Sequence, residues 1–412
     1  MSDSAAAMAY SRFKRGCFAL EGINALATAY YQYYLFFILQ SQHGFGDLQN
    51  LLVSALNGFV YTFAPLFAGR FAQRRGYFRA VRLGTAILLV MMLVGTQVNS
   101  AAGQVAILAV WTFGVSFTWP SLEALASEFE PPRRLPQTVG IYNLVWAAGA
   151  ALAYFSGGAL LEKLGPTSIF LVPAVLHLTQ WLMFPRLQRA ESTETVPQAT
   201  PVVTEDSAGT PRPAPDRTRM FLRLAWIANP FAYMAISTLV PLIPGLAERH
   251  ELTPMWAGFF CSTWFFGRLG AFLLLWLWEG WHYRFRWLAV AFVLLALGFT
   301  STLLARTLWL VIVAQAVFGI SCGFMYYSSL FYSMDAGDTK GEHGGIHEAA
   351  IGAGIFAGPV VGAAGLWLVP QSPHAATVAV AALLGVGFVV LLGLKWHWGR
   401  SSIARTNASS NR

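Results

Sequence analysis

Charge is what this sequence lacks most. Only 11% of its 412 residues are charged, against 56% apolar, too little polarity to cover a water-soluble globule of this size. Cysteine is almost as scarce. Cys17, Cys261 and Cys322 each fall in or beside an apolar run, and three so placed give neither a disulfide framework nor a metal cluster. No stretch alternates apolar and polar residues at strand spacing, so a membrane barrel has no support. Enzymatic chemistry also lacks its parts, because no nucleophile, base and oxyanion set can be assembled. No cofactor is expected.

Long apolar runs are what the chain has instead. Crossing the ~30 Å hydrocarbon layer takes ~20 mostly apolar residues in a helix, and twelve such runs follow one another. They lie near 17 to 39, 47 to 69, 78 to 97, 103 to 127, 137 to 160, 166 to 185, 221 to 245, 254 to 278, 286 to 304, 308 to 333, 345 to 368 and 374 to 396. Arg12, Lys14 and Arg15 precede the first run as they would in a signal peptide. That run is too long for one and has no small-residue cleavage site, so it reads as span 1. The expectation is an all-α polytopic membrane protein with twelve transmembrane helices.

The net charge of +8 is a topology signal and does not mark a nucleic-acid surface. With the amino terminus inside, the inner segments hold 23 of the 27 Lys and Arg; the outer loops hold only Lys163, Arg249 and Arg306, and Arg268 falls inside span 8. Basic residues concentrate in short cytoplasmic loops, so both termini are expected in the cytoplasm, with the chain in the cytoplasmic (inner) membrane.

The chain also reads as a duplication. One polar stretch, 187–219, is rich in Pro, Thr, Glu and Ala without helical periodicity and is expected to be a disordered cytoplasmic linker. It separates an amino-terminal half, 1–186, from a carboxy-terminal half, 220–412. A constant shift of 205 positions aligns Asn24 with Asn229, Phe113-Gly114 with Phe318-Gly319, Arg79 with Arg284, and Gly140, Gly149 and Gly157 with Gly345, Gly354 and Gly362. A single ungapped offset serving spans 1, 4 and 5 against 7, 10 and 11 implies two pseudo-symmetric six-helix bundles related by an axis normal to the membrane.

The segment Gly69-Arg70-Phe71-Ala72-Gln73-Arg74-Arg75-Gly76-Tyr77-Phe78-Arg79 resembles the loop signature between helices 2 and 3 of the major facilitator superfamily of secondary carriers. Gln73 departs from it, standing where the family usually has Asp. Trp119-Pro120, the Pro131-Pro132-Arg133-Arg134 loop and Gly140-Ile141-Tyr142-Asn143 fit as well. The Gly-Pro arrangement of family antiporters falls here in span 11, at Gly358-Pro359, rather than in span 5, which weakens an antiport reading. The resemblance implies that spans 1, 4, 7 and 10 line a central cavity, with 2, 5, 8 and 11 completing its walls. It also implies a gate in which Gly69, Arg70, Gln73, Arg74, Arg75 and Gly76 pack against the inner end of span 11, at His347 and Glu348, in the outward-facing state. Glu348, with Glu128 or Glu130, would then supply the negative charge that Gln73 lacks.

Ionisable groups inside spans are costly, and they usually face a cavity or a partner. Glu21, Glu123 and Glu348 lie roughly 6 to 10 Å inside the inner boundary at ~1.5 Å per residue. By the resemblance Glu21 and Glu123 face the aqueous path, where a carboxylate desolvated on closure would take a proton in one state and release it in the other. Capping a helix or pairing with loop arginines is the competing role, expected of Glu128 and Glu348 and left open for Glu21 and Glu123. Arg268 binds an anionic group of the substrate or pairs with one of the three acids, with pairing favoured by their reach. Asn24, Tyr30, Tyr31, Gln32, Asn143, Trp146, Asn229, Gln315, Tyr326 and Tyr327 supply hydrogen-bonding groups and rings suited to a polar organic solute. Tempting alternatives fail on context. Gly352-Ala353-Gly354 has no preceding strand and reads as helix packing, and His343 and His347 have no second ligand cluster for a metal.

The function expected is secondary active transport of a small organic solute by a monomer, with protons as the favoured coupling ion. The rivals are an efflux pump for lipophilic compounds and a transporter-like sensor or lipid-moving scaffold. The charge asymmetry makes a direct prediction. Cysteines placed at Gly44, Lys163 and Arg249 are expected to label from outside the cell, and cysteines at Arg75, Pro201 and Thr406 only after permeabilisation; reversal at two of these positions rejects the topology.

Overall fold

The computed structural model describes residues 3–127, 130, 134–193, 215–335 and 340–410. These form thirteen α-helices and no strand. In the amino-terminal half they are α1 (Asp3–His43), α2 (Asp47–Arg75), α3 (Tyr77–Gly95), α4 (Ala101–Ser127), α5 (Leu135–Leu164) and α6 (Ser168–Thr193). The other half holds α7 (Pro215–Arg249), α8 (Pro254–Cys261), α9 (Thr263–Leu277), α10 (Phe285–Leu304), α11 (Leu308–Asp335), α12 (Lys340–Leu368) and α13 (Ala375–Ser410). The stretch expected as a linker is helical at both its ends, up to Thr193 and from Pro215, and its middle lies outside the described residues.

Taking α8 and α9 as one rod, eleven rods are long and apolar enough to cross a membrane among the described residues. The twelfth, α1, is long enough but more polar, because Glu21, Asn24, Gln32 and the tyrosines at 30, 31, 33 and 34 dilute its hydropathy. Its polarity is turned inward: Glu21, Asn24 and Tyr31 are all buried. The lipid-facing positions are ordinary apolar ones, such as Leu52, Phe59, Phe63 and Phe67 along α2. At the join of α2 and α3 the chain reverses at Gly76, whose φ of 92° suits glycine and few other residues. This is a physical reason for the second glycine of the loop signature.

Span 8 is one continuous rod with a one-residue irregularity. The irregularity is at Ser262 (φ −88°, ψ −5°). Three small residues stand there, Cys261-Ser262-Thr263. Ser262 Oγ donates to Phe259 O at 3.3 Å, Thr263 Oγ1 to Phe260 O at 3.0 Å, and Gln315 Nε2 from α11 to Phe260 O at 3.3 Å. Carbonyls beside the irregularity thus have donors, which is the condition for interrupting a helix at membrane depth.

The two halves meet along α2 with α12 and α5 with α8 and α9. At the end of the bundle away from the chain termini, called distal here, the contact is tight. Gln40 Nε2 donates to Glu248 Oε2 at 2.8 Å, Asn50 Nδ2 to Pro241 O at 3.3 Å, Ser54 Oγ to Ser237 O at 2.9 Å, and Met255 N to Glu162 Oε2 at 3.2 Å. Gly158 lets α5 lie directly on the start of α8, since a Cβ there would sit 1.9 Å from Pro254 O. Toward the terminal end, α4 and α11 form no comparable packed interface among the described residues. Among the described residues the halves are thus sealed distally, while toward the other end they meet along α2 with α12 and α5 with α9 but not between α4 and α11.

The Gly158 contact lies between halves, so a side chain there penalises the distally sealed state specifically and shifts the population away from it. We expect Gly158→Val to raise thiol labelling from the distal side of a cysteine at Gln32, with the protein still folded. Gly84→Val, whose Cβ would strike Gly114 O at 2.8 Å within one half, should instead lower thermal stability without changing the labelling ratio.

Candidate functional site

Below the distal seal, between the two halves, lies a cavity of about 120 Å³, room for several waters or a compact solute. Its wall is built from helical stripes. On α1 the residues are Thr28 and Gln32, one turn apart, and on α7 they are Tyr233 and Ser237. These pairs are related by the same 205-residue shift found in the sequence. The shift also relates Trp146 and Ala150 of α5 to Ile351 and Ile355 of α12, and all four line the cavity. Duplication therefore carries register as well as topology into the site.

Arg268 projects from α9 into this space and is 3% exposed. Burial at this depth disfavours a guanidinium strongly, and it cannot escape by losing its proton. Aromatic faces surround it. Its Cζ lies 4.6 Å from the ring centroid of Trp146, 5.1 Å from Tyr326, 5.6 Å from Phe272 and 5.7 Å from Tyr233. Each such contact is worth about 0.5–2 kcal/mol. Its Nη2 also donates to the Tyr233 hydroxyl at 3.3 Å, while Nε has no hydrogen-bonding partner. The pairing expected with Glu21, Glu123 or Glu348 is not formed, and among the described residues no acid makes an ion pair with Arg268. Rings fill the place foreseen for a carboxylate.

Two of the three acids reach the cavity. Glu348 lies about 12 Å along α12 at ~1.5 Å per residue, lines the wall and accepts a hydrogen bond from the Tyr61 hydroxyl of α2 at 2.9 Å. Glu123 of α4 lines the opposite half, near enough to Glu348 for their charges to interact. Glu21 does not line the cavity. It is fully buried inside the amino-terminal half, and neither carboxylate oxygen has a partner within hydrogen-bonding geometry. Tyr142 stands between it and the cavity: the ring lines the cavity and faces Glu21, and its hydroxyl donates to Trp119 O at 3.3 Å.

The remaining candidates divide. Gln32 and Trp146 line the cavity. Asn24 lies one turn further along the α1 stripe, its amide 3.5 Å from Thr118 Oγ1. Tyr31 packs away from the cavity on Trp111 and Phe170, Asn143 donates back to Val139 O at 2.9 Å, and Gln315 serves the α8–α9 junction. Asn229 is buried with its Oδ1 unpartnered, and Tyr327 packs on Phe272 and Trp281. Of the gate residues, Arg70, Gln73, Arg74, Arg75 and Gly76 are exposed and Gly69 has open space about its Cβ position. Glu128 and the His347 side chain lie outside the described residues. Sequence reasoning missed Tyr33, Tyr61, Tyr233 and Phe265. An i, i+4, i+8 stripe from Asn24 through Gln32, shifted by 205, reaches Tyr233.

The profile of the Major Facilitator Superfamily matches residues 17–336. No curated protein matches in sequence. Solved structures of similar fold include a bacterial homologue of the human lysosomal transporter Spinster, in an inward-facing and occupied conformation (TM-score 0.68, 14% identity, 95% of this chain and 97% of that one). Another is a bacterial homologue of the human drug peptide transporters PepT1 and PepT2 (0.68, 14%, 94% and 99%), and a third is the nucleoside transporter NupG (0.68, 12%, 93% and 99%). A twelve-rod helical bundle in two halves, with a polar cavity between them and this profile over most of its length, belongs to the Major Facilitator Superfamily and is an integral membrane transport protein of the secondary type, not an enzyme.

Proposed function

We propose that the protein carries a small organic solute through the cavity between its halves, 1–186 and 220–412, by alternating access driven by protons. The observation that carries this reading is the pair Glu123 and Glu348 on facing walls of a half-sealed cavity. A carboxylate there meets water when its side is open and loses it when the walls close, so its proton affinity alternates with conformation. With the termini in the cytoplasm of the inner membrane, the distally sealed conformation is inward-facing. Glu123 is the coupling group, and Glu21 is a second proton site reached through Tyr142. Polar cargo agrees with the peptides and nucleosides named for proteins of similar fold. An efflux role for lipophilic cations is the second reading, supported by the many rings of the wall; uptake and efflux assays with cationic dyes separate the two.

Glu123→Gln is expected to abolish uphill accumulation under an imposed proton gradient in vesicles while sparing exchange at equal solute concentrations, because a permanently neutral side chain still cycles loaded. Glu21→Gln should behave likewise if protons pass Tyr142. Full proton-driven accumulation by both variants rejects the coupling assignment.

A further inference from the structure

We propose that the transported solute carries a carboxylate, held by Arg268, on a compact apolar or aromatic body. The inference deepens the proton-coupled reading and rests on it for its charge balance. Its starting point is that the cavity contains one charge that cannot be removed. Glu123 and Glu348 become neutral by taking a proton, whereas Arg268 stays cationic at any physiological pH. A solute entering a cavity of about 120 Å³ meets that charge at short range in poorly hydrated surroundings, where an anion is attracted and an amine repelled.

The geometry agrees with the charge. Arg268 has no acid partner among the described residues, and its buried Nε has no hydrogen-bonding partner, so one donor of its fork is free. A carboxylate there would gain charge-assisted hydrogen bonds with fork geometry, beside the Tyr233 hydroxyl already bonded to Nη2. The four rings around the guanidinium make its burial tolerable between transport cycles without neutralising it. Phe265, Trp119 and Tyr33 add further rings to the cavity wall, which receives the rest of the solute. The titratable groups facing the two acids are Tyr61, Tyr142, Tyr233 and Tyr326, with Arg268 opposite and Glu21 behind Tyr142.

The proton count closes. With the cavity open, one ionised glutamate balances Arg268. When the solute carboxylate binds Arg268, that glutamate takes one proton, and total charge is unchanged. One anion therefore moves with one proton, and no net charge crosses the membrane.

The test uses the full-length protein with benzoate, phenylacetate and hexanoate, each compared with its methyl ester and with an amine of matched shape. A ligand that binds the folded state raises thermal stability by mass action. The acids are expected to stabilise and the esters and amines not to. Arg268→Lys keeps the charge but loses the fork, and should weaken acid binding about tenfold; Arg268→Gln should abolish the preference. Should Arg268→Gln fail to fold, the Lys variant and the acid–ester comparison in the unaltered protein still decide. No acid outranking its ester, or amines outranking both, overturns the proposal. In proteoliposomes, acid-dependent proton entry above protein-free vesicles should follow at unchanged membrane potential. Acid binding without proton entry supports the carboxylate site and rejects the coupling. Proton movement driven only by amines keeps the coupling and rejects the site.

Discussion

A guanidinium held in the middle of a membrane is the constraint around which this site is arranged. Charge at that depth is disfavoured by several kcal/mol, and Arg268 cannot shed it. The surrounding helices therefore present what partly compensates: Trp146 from α5, Tyr233 from α7, Phe272 from α9 itself and Tyr326 from α11. One of the four rings comes from the other half, so the cation also lies on the seam that must open and close. A group positioned this way responds to the relative placement of the halves and to whatever lies between them.

The acids obey the same constraint from the opposite side. Glu348 accepts a hydrogen bond from Tyr61 across the seam between α12 and α2, and Glu21 is shut behind Tyr142. Burying a carboxyl group with Tyr142 as its one polar neighbour is costly.

The coarse fold was legible because lipid imposes it. Twelve runs of sufficient length, Lys and Arg on alternate loops, and an offset of 205 follow from the width of the hydrocarbon layer and from duplication. The family signature around Gly76 was legible for a local reason, the positive φ of the turn it makes. The site was legible only by residue type. Gln32 and Trp146 face the cavity while Tyr31 and Asn143 turn away, because helical phase decides which side chains face the seam, and an error of one position rotates a residue by ~100°. Arg268 was identifiable as exceptional, but its ring partners were not, since they come from four different helices. The irregularity at Ser262 was hidden too, because the apolar run continues through it.

The irregularity divides span 8 into two pieces with different neighbours. Its distal piece, α8, is pressed against α5 at Gly158 and tied to Glu162 through the Met255 amide, so it travels with the seal. Its longer piece, α9, carries Phe265 and Arg268 into the cavity. The carbonyls of Phe259 and Phe260, just before Ser262, keep hydrogen-bond donors. The irregularity at Ser262 therefore falls between the part of the span that closes the distal end and the part that carries the charge, six residues before Arg268.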